Sequence, residues 1–175
     1  MTRYTIISST NRKSANSYLI SNIYKQLLSK KGVDAEIIDL QKLPSDFVFS
    51  ALYDNNSKNE LFNKFINRVE KSDKFIFVVP EYNGSFPGVL KAFIDGMNYP
   101  NGFKGKKAAL LGHSSGTQGS ALALSHLTDI FNYLGMHVYA MKPRLQQIEK
   151  HLNSQKLSDA YMLLLKEQVD GFVGF

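Results

Sequence analysis

The stretch PEYNGSFPGVLKAFIDGM, residues 80–97, carries most of the information in this chain. The run KFIFVV at 74–79 precedes it, and an apolar run bounded by turn residues is typical of a buried parallel strand. A polar loop with one aromatic ring, Tyr82, follows. Pro87 suits the first turn of a helix, where its missing N–H would have no partner. The loop therefore presents free N–H groups, a flat ring and the positive end of a helix, which predicts a site for a planar, electron-accepting ligand.

Strands and helices alternate outward from this stretch. Apolar runs bounded by turn residues predict strands over 3–8, 35–39, 74–79, 107–112 and 137–140. Helical spacing predicts helices over 16–31, 119–134 and 154–172, one that follows a Ser57-x-x-Glu60 capping box, and one that follows Pro87. Five strands that alternate with five helices predict an α/β fold, with a doubly wound parallel sheet and helices on both faces, in one domain over 1–175.

Composition narrows the class of protein. The 175 residues include 21 basic and 15 acidic side chains, a formal net charge of +6 that suits anionic small ligands. The absence of cysteine excludes disulfides, thiolate metal sites and iron–sulfur clusters, and it fits a reducing cytoplasm. The sequence has no apolar run long enough to span a membrane, no metal-ligand spacing among its histidines, and no basic patch interleaved with aromatic residues. We therefore predict a cytoplasmic protein without a metal, a membrane span or a nucleic-acid partner.

A second polar loop follows the first predicted strand. Residues 8–17 read SSTNRKSANS and place hydroxyls, amides and a guanidinium at the start of the first helix. That is the chemistry a phosphate group needs. If the strand order is 2-1-3-4-5, the loops after the first and third strands meet where those strands diverge. The two polar loops are then expected to form one crevice.

These segments resemble the NAD(P)H-dependent FMN reductase family. In that family a P-E-Y-N loop wraps the isoalloxazine ring of FMN, and residues 80–83 match it here. The helix that follows reads P-G-x-L-K-x-x-x-D, matched by Pro87, Gly88, Leu90, Lys91 and Asp95. The match runs nearly unbroken, so it is far more specific than a single glycine pattern.

The resemblance extends to two further loops. A variant of the family's first loop reads G-T-N-R-x-x-S-N; this chain has Ser9 in place of its glycine and Ala15 in place of its serine, so either Ser14 or Ser17 is expected to supply the missing hydroxyl. The loop after the fourth strand resembles the glycine-rich loop beside the pyrimidine edge of the flavin. The expected cofactor-binding residues are Ser9, Thr10, Arg12, Ser14, Asn16, Ser17, Pro80, Glu81, Tyr82, Asn83, Gly84, Ser85, Ser115 and Gly116.

The resemblance implies a flavodoxin-like fold with a five-stranded sheet in order 2-1-3-4-5 and non-covalent FMN. It implies an enzyme that takes hydride from NADPH or NADH and passes electrons, by a ping-pong mechanism, to a flavin, quinone, azo compound or similar small molecule. Because the flavin carries this chemistry, no side chain is assigned as catalytic. Glu81 and Asn83 are expected either to bond the flavin ring or to orient their loop.

The family also implies a homodimer or homotetramer. Residues 47–53, Tyr99 and Phe103 are rich in aromatic rings and lie in predicted loops, where one protomer has little room to bury them all. They are therefore the candidate contact surface between protomers.

Two other function classes remain open at this point. One is a non-enzymatic FMN-binding electron carrier, which would not oxidise NAD(P)H by itself. The other is a serine hydrolase, because residues 112–116 read G-H-S-S-G after a strand, the setting of a nucleophile elbow at Ser114. Such a triad would require later partners such as Asp129 and His137. The short chain, and the single strand predicted after the elbow, weigh against it.

Overall fold

A computed structural model describes residues 2–99, 102–153 and 156–175. Its strands are β1 Tyr4–Ser8, β2 Ala35–Asp39, β3 Lys74–Pro80, β4 Lys107–His113, β5 His137–Val138, β6 Arg144–Leu145, β7 Leu152–Asn153 and β8 Lys156–Leu157. Its α-helices are α1 Asn16–Ser29, α2 Phe47–Ser50, α3 Glu60–Lys71, α4 Gly88–Asp95, α5 Ala121–Tyr133, α6 Ile148–His151 and α7 Asp159–Gly174. Short 3₁₀ turns occupy Leu40–Lys42 and Tyr53–Asn55.

The main sheet confirms the predicted strand order. Its strands pair in parallel as β2-β1-β3-β4-β5, the flavodoxin-like order. All seven residues of β3 are buried, which explains its continuous apolar run. In the register of the sheet, Ser8 pairs with Val78 and Pro80 pairs with His113. The carboxyl ends of β1, β3 and β4 therefore reach one edge of the sheet.

The fifth strand position differs from the prediction of one strand over 137–140. Two short strands share it, because β5 pairs with the start of β4 and β6 pairs with Gly112 and His113 at its end. Between them lies Pro143, which has no N–H to donate to a strand ladder. Its carbonyl instead accepts from the N–H of Gly112 at 2.9 Å.

Helices cover both faces of the sheet, as predicted. One apolar cluster packs α3, α4 and α5 against the sheet through residues such as Phe62, Phe93 and Phe131. The other packs α1 and α7 against the opposite face through residues such as Tyr24 and Phe172. In the described part of the chain, every helix is too short or too polar to cross a membrane.

Three predicted helix starts are wrong. Helix α5 begins at Ala121 and not at 119, because Gly119 and Ser120 have positive φ, 57° and 67°. Helix α3 is capped by Asn59, whose Oδ1 accepts from Phe62 N at 2.9 Å, because the amide sits one residue before the helix and Ser57 lies too far upstream. The apolar spacing predicts the last helix from 154, a position outside the described residues, whereas the structure begins α7 at Asp159. Helix α6 and the hairpin of β7 and β8 occupy the chain just before it, in a segment where the apolar spacing gave no such signal.

Candidate functional site

Three loops enclose a cleft of about 350 Å³ at the carboxyl edge of the sheet. They follow β1, β3 and β4, as the strand order requires at its switch point. A fourth segment, the start of α6, closes one side of the cleft. The lining residues are Arg12, Lys13, Ser14, Ala15, Asn16, Pro80, Glu81, Tyr82, His113, Ser114, Ser115, Ile148 and Glu149.

Some of the predicted binding residues of the first loop line the cleft, and others are buried in the interior. Arg12, Ser14 and Asn16 line the cleft. Ser9 is fully buried, and its Oγ donates to the carbonyl of Ile7 at 3.2 Å. Ser17 is also fully buried. Of the two hydroxyls left open by the sequence, only that of Ser14 therefore belongs to the cleft wall.

Thr10 links the first loop to the second. Its Oγ1 lies 2.7 Å from the hydroxyl of Tyr82 and also accepts from the N–H of Arg12 at 3.2 Å. Thr10 is itself buried. The hydrogen bond joins the two loops across the switch point, so it fixes where the Tyr82 ring stands beside the cleft.

The second loop turns sharply at Asn83 and Gly84. Both residues have positive φ, 51° and 73°, and Tyr82 and Ser85 exchange main-chain hydrogen bonds of 2.8 and 3.0 Å. Two successive left-handed residues make the tight turn that Asn-Gly favours. A Cβ on Gly84 would meet nothing within 4 Å. Asn83, Gly84 and Ser85 form a tip beyond the residues that line the cleft.

Glu81 orients this loop. Its Oε2 accepts from the N–H of Ser120 at 2.9 Å, and its own N–H donates to the carbonyl of His113 at 3.1 Å. Ser120 in turn donates through Oγ to the carbonyls of Val79 and His113, each at 3.0 Å. Of the two roles that the sequence left open for Glu81, these contacts support orientation of the loop.

The third loop places Ser115 in the cleft wall and Gly116 just outside it. Ser115 Oγ donates to Glu149 Oε1 at 2.6 Å, and this bond holds the pKa of the Glu149 carboxyl below its ordinary value. The carbonyl of Gly116 accepts from Gln147 N at 2.8 Å. Sequence reasoning missed Glu149, because no local pattern indicates that α6 packs against the loop after β4.

Ser114 has a structural role that opposes the hydrolase interpretation. Its Oγ donates to the carbonyl of Gly116 at 3.0 Å and accepts from Gly119 N at 2.9 Å. His137, the proposed triad base, pairs with Lys107 at the other end of β4. Seven strand residues span about 20 Å, so His137 lies far beyond hydrogen-bond reach of Ser114.

His113, the last residue of β4, is buried and lines the cleft. Its Nε2 lies 2.8 Å from Ser17 Oγ. Burial lowers the pKa of His113 to about 4, since the charged ring would lose its hydration, and the nearby Glu149 only partly offsets this. The ring is therefore neutral near pH 7.

Comparison with known proteins bears on this cleft. A sequence model of a family described as NADPH-dependent FMN reductase matches residues 2–142. The chain belongs to this family. The family match confirms the predicted class, an FMN-dependent oxidoreductase with NAD(P)H as electron donor.

Individual relatives agree with the family match. A 2-hydroxy-1,4-benzoquinone reductase of Burkholderia sp. is 33% identical over 132 residues, which cover 74% of this chain and 69% of the relative. An FMN-dependent NADPH-azoreductase of Staphylococcus saprophyticus is 29% identical over 168 residues, 93% of this chain and 85% of the relative. The solved structure of a flavoenzyme NAD(P)H:(acceptor) oxidoreductase from Paracoccus denitrificans superposes with a TM-score of 0.82 at 25% identity, covering 99% of this chain and 96% of that one.

Proposed function

We propose that the cleft between the loops after β1, β3 and β4 holds FMN, and that the protein passes electrons from NAD(P)H to quinones, azo compounds, flavins or similar acceptors. The observation that carries this proposal is the convergence of a cationic loop and an aromatic ring on one cleft at the switch point, with a tight Asn-Gly turn directly after that ring. The names of the relatives supply the acceptor classes.

The residues around the cleft fit FMN. Helix α1 begins without a side-chain cap and has no acidic residue in its first turn. Its N–H groups and its positive dipole end are therefore available to a phosphate. Arg12 and Lys13 add two cations at the same place. At the other loop, the open space beside Gly84 lets main-chain atoms approach a flat ring closely.

When bound, FMN supplies the redox chemistry, by accepting hydride from NAD(P)H and returning electrons to a second substrate. The chain's own residues bind and orient. Arg12, Lys13 and Ser14 hold the phosphate end, while Tyr82, fixed by Thr10, borders the ring and limits access of water. The N–H groups of the turn after Tyr82 favour negative charge at the ring edge. A ping-pong order follows if donor and acceptor use the same cleft in turn.

Two simple measurements test the proposal. The purified protein should be yellow, release FMN on denaturation, and oxidise NADPH or NADH when a benzoquinone, an azo dye or free flavin is added. The rates should give parallel double-reciprocal lines for a ping-pong order. A yellow protein that needs a separate reductase would be an electron carrier instead, and a colourless one that cannot be loaded with FMN would refute the proposal.

Assembly and location are also proposals. We propose a homodimer or homotetramer, supported by exposed aromatic side chains beside a second cavity, at Tyr53 and Tyr99. We propose that the protein works in the cytoplasm, which its cysteine-free sequence supports.

A further inference from the structure

His113 joins three structural elements around the cleft. Its carbonyl accepts from the N–H of Glu81 on the second loop and from Oγ of Ser120, which precedes α5. Its ring bonds through Nε2 to Ser17 in the first turn of α1. Among the described residues, Nδ1 has no hydrogen-bond partner, and it is not one of the fully buried side-chain atoms that lack one. It therefore keeps some exposed surface, and the residue lines the cleft.

The contact with Ser17 determines where the ring carries its proton. A neutral imidazole has one N–H and one acceptor nitrogen. Ser17 is fully buried, and within the described residues its hydroxyl has one hydrogen-bond partner, Nε2 of His113. A proton on Nε2 would leave the buried Ser17 O–H without an acceptor, which costs free energy. The favoured arrangement is a Ser17 O–H donating to Nε2, with the ring proton on Nδ1.

We propose that His113 is a flavin-binding residue whose Nδ1–H donates to an oxygen of the ribityl phosphate chain, and that Ser17 is a positioning residue that fixes this tautomer. The inference rests on the proposed function, because it requires FMN in the cleft. It assigns Ser17 an indirect role, whereas the sequence left open whether Ser14 or Ser17 contacts the phosphate.

The position of the His113 imidazole favours a contact with the ribityl phosphate chain of the flavin over a contact with the isoalloxazine ring. Ser17 ties the imidazole to the start of α1, the end of the cleft that Arg12, Lys13 and Ser14 line. Tyr82 and the Asn-Gly turn belong to the other loop. Since burial keeps His113 neutral, it adds a donor without adding a third charge. A hydroxyl or phosphate oxygen is the matching acceptor.

Two substitutions separate the functions of the two ring nitrogens. His113→Gln places an amide near the Nε2 position, so it retains a partner for Ser17 and loses the donor in the cleft. His113→Asn places its amide near Nδ1, so it retains the donor and loses Ser17. We expect His113→Gln to weaken FMN and riboflavin binding by about 3- to 10-fold and to leave lumiflavin, which lacks the chain, unchanged. His113→Asn should retain more of the FMN and riboflavin affinity than His113→Gln does.

Binding is measured by fluorescence titration of the full chain after its flavin is removed, with thermal melts as a check on folding. His137→Gln is the matched control, because His137 is an exposed histidine of β5 that pairs with Lys107 at the far end of β4. If His113→Gln binds FMN like the wild type, or weakens lumiflavin as much as FMN, the inference is wrong. If the wild type binds no FMN at all, the proposed function itself is wrong, which is a different result.

Nitrogen-15 NMR of the histidine rings gives a readout that does not depend on activity or on the folding of a His113 variant. In the flavin-free wild type we expect the neutral tautomer with the proton on Nδ1, and in Ser17→Ala a mixture of the two tautomers. Addition of FMN should shift the Nδ1–H resonance of the wild type. A wild-type ring protonated on Nε2, or an Nδ1–H signal that FMN does not move, would overturn the inference.

Discussion

Gly84 adopts a backbone conformation that a β-branched residue avoids, at φ 73° in the turn beside the cleft. Gly84→Val should therefore distort this turn and abolish flavin binding while the fold persists, because the turn lies outside the core. Gly32→Val is the matched control, since Gly32 has φ 74° and equally open surroundings. Gly32 lies just after the carboxyl end of α1, whereas the cleft is at the amino end of that helix. Flavin content and thermal melts check both variants. A yellow Gly84→Val protein with normal turnover would contradict the assignment of this turn to the flavin site.

Arg12 is one of two cations among the described residues that line the cleft. Replacing it with alanine should weaken FMN binding by about 1.5–3 kcal/mol, the usual range for a hydrogen bond to a charged group. Riboflavin, which has no phosphate, should lose little affinity. Titration at low salt measures both ligands, with Arg3→Ala at the other end of β1 as the control. Equal FMN affinity in Arg12→Ala and wild type would show that Arg12 does not bind the phosphate.

His113 makes the stability of the flavin-free protein depend on pH. Its pKa falls from 6.5 to about 4 on folding, so between these values the unfolded chain binds a proton that the native state does not. Stability should therefore decline as pH falls through this window, by about 3 kcal/mol at pH 4. Urea unfolding of wild type and His113→Gln across the window measures the effect. Parallel curves for the two proteins would show that His113 does not titrate in this way.

At the scale of elements, two lysines at the amino edge of the sheet hold the ends of helices. Lys74 Nζ donates to the carbonyls of Phe172 and Val173 in the last turn of α7, at 3.0 and 3.1 Å. Lys106 Nζ donates to Val69 and Glu70 at the end of α3, at 2.7 and 2.9 Å. Terminal helix carbonyls lack partners within the helix, and a cation there also complements the helix dipole. Burial lowers the pKa of both lysines.

Lys74→Met should therefore destabilise the protein by about 1–3 kcal/mol, since it leaves two carbonyls of α7 without their donor. It should leave flavin content unchanged, because the substitution lies at the edge of the sheet opposite the cleft. Denaturant unfolding measures the change, and Lys30→Met, on the exposed end of α1, is the control. A Lys74→Met protein as stable as the control would show that the cap contributes nothing.

At the scale of the whole molecule, the aromatic residues expected at a protomer contact separate into two groups. Phe47 and Phe103 are buried in the core, so for these two the interpretation as contact surface is wrong. Tyr53 and Tyr99 are 78% and 82% exposed, and they flank a cavity of about 320 Å³. The lining of this cavity includes the apolar residues Ile94, Met97 and Leu134. Large exposed rings beside such residues are typical of an interface.

We therefore expect the wild type to sediment as a dimer or tetramer at micromolar concentration, and a Tyr53→Ser/Tyr99→Ser variant as a monomer with lower turnover. Leu163→Ser, an exposed apolar residue on α7, is the matched control and should keep the assembly. Sedimentation velocity and NAD(P)H oxidation measure both properties. A fully active wild-type monomer would defeat the proposal.

The organisation of residues 1–175 as a single domain also stays a prediction.

The sequence by itself determined the α/β class. The strand order that brings the loops after β1 and β3 together was implied by the resemblance to the family and is confirmed by the structure. Strands such as β3 are short and buried on both faces, so local apolar runs reveal them. Such features depend on neighbours along the chain, so a single sequence is enough to find them.

The tertiary structure alone decided which side chains face the cleft. Ser14 and Ser17 are equivalent as hydroxyls in the sequence, yet one lines the cleft and the other is buried against His113, 96 positions away. Glu149 joins the wall because α6 packs beside the loop after β4, and its partner Ser115 lies 34 positions earlier. Side-chain direction at a loop is set by contacts between elements distant in sequence, so no local pattern encodes it.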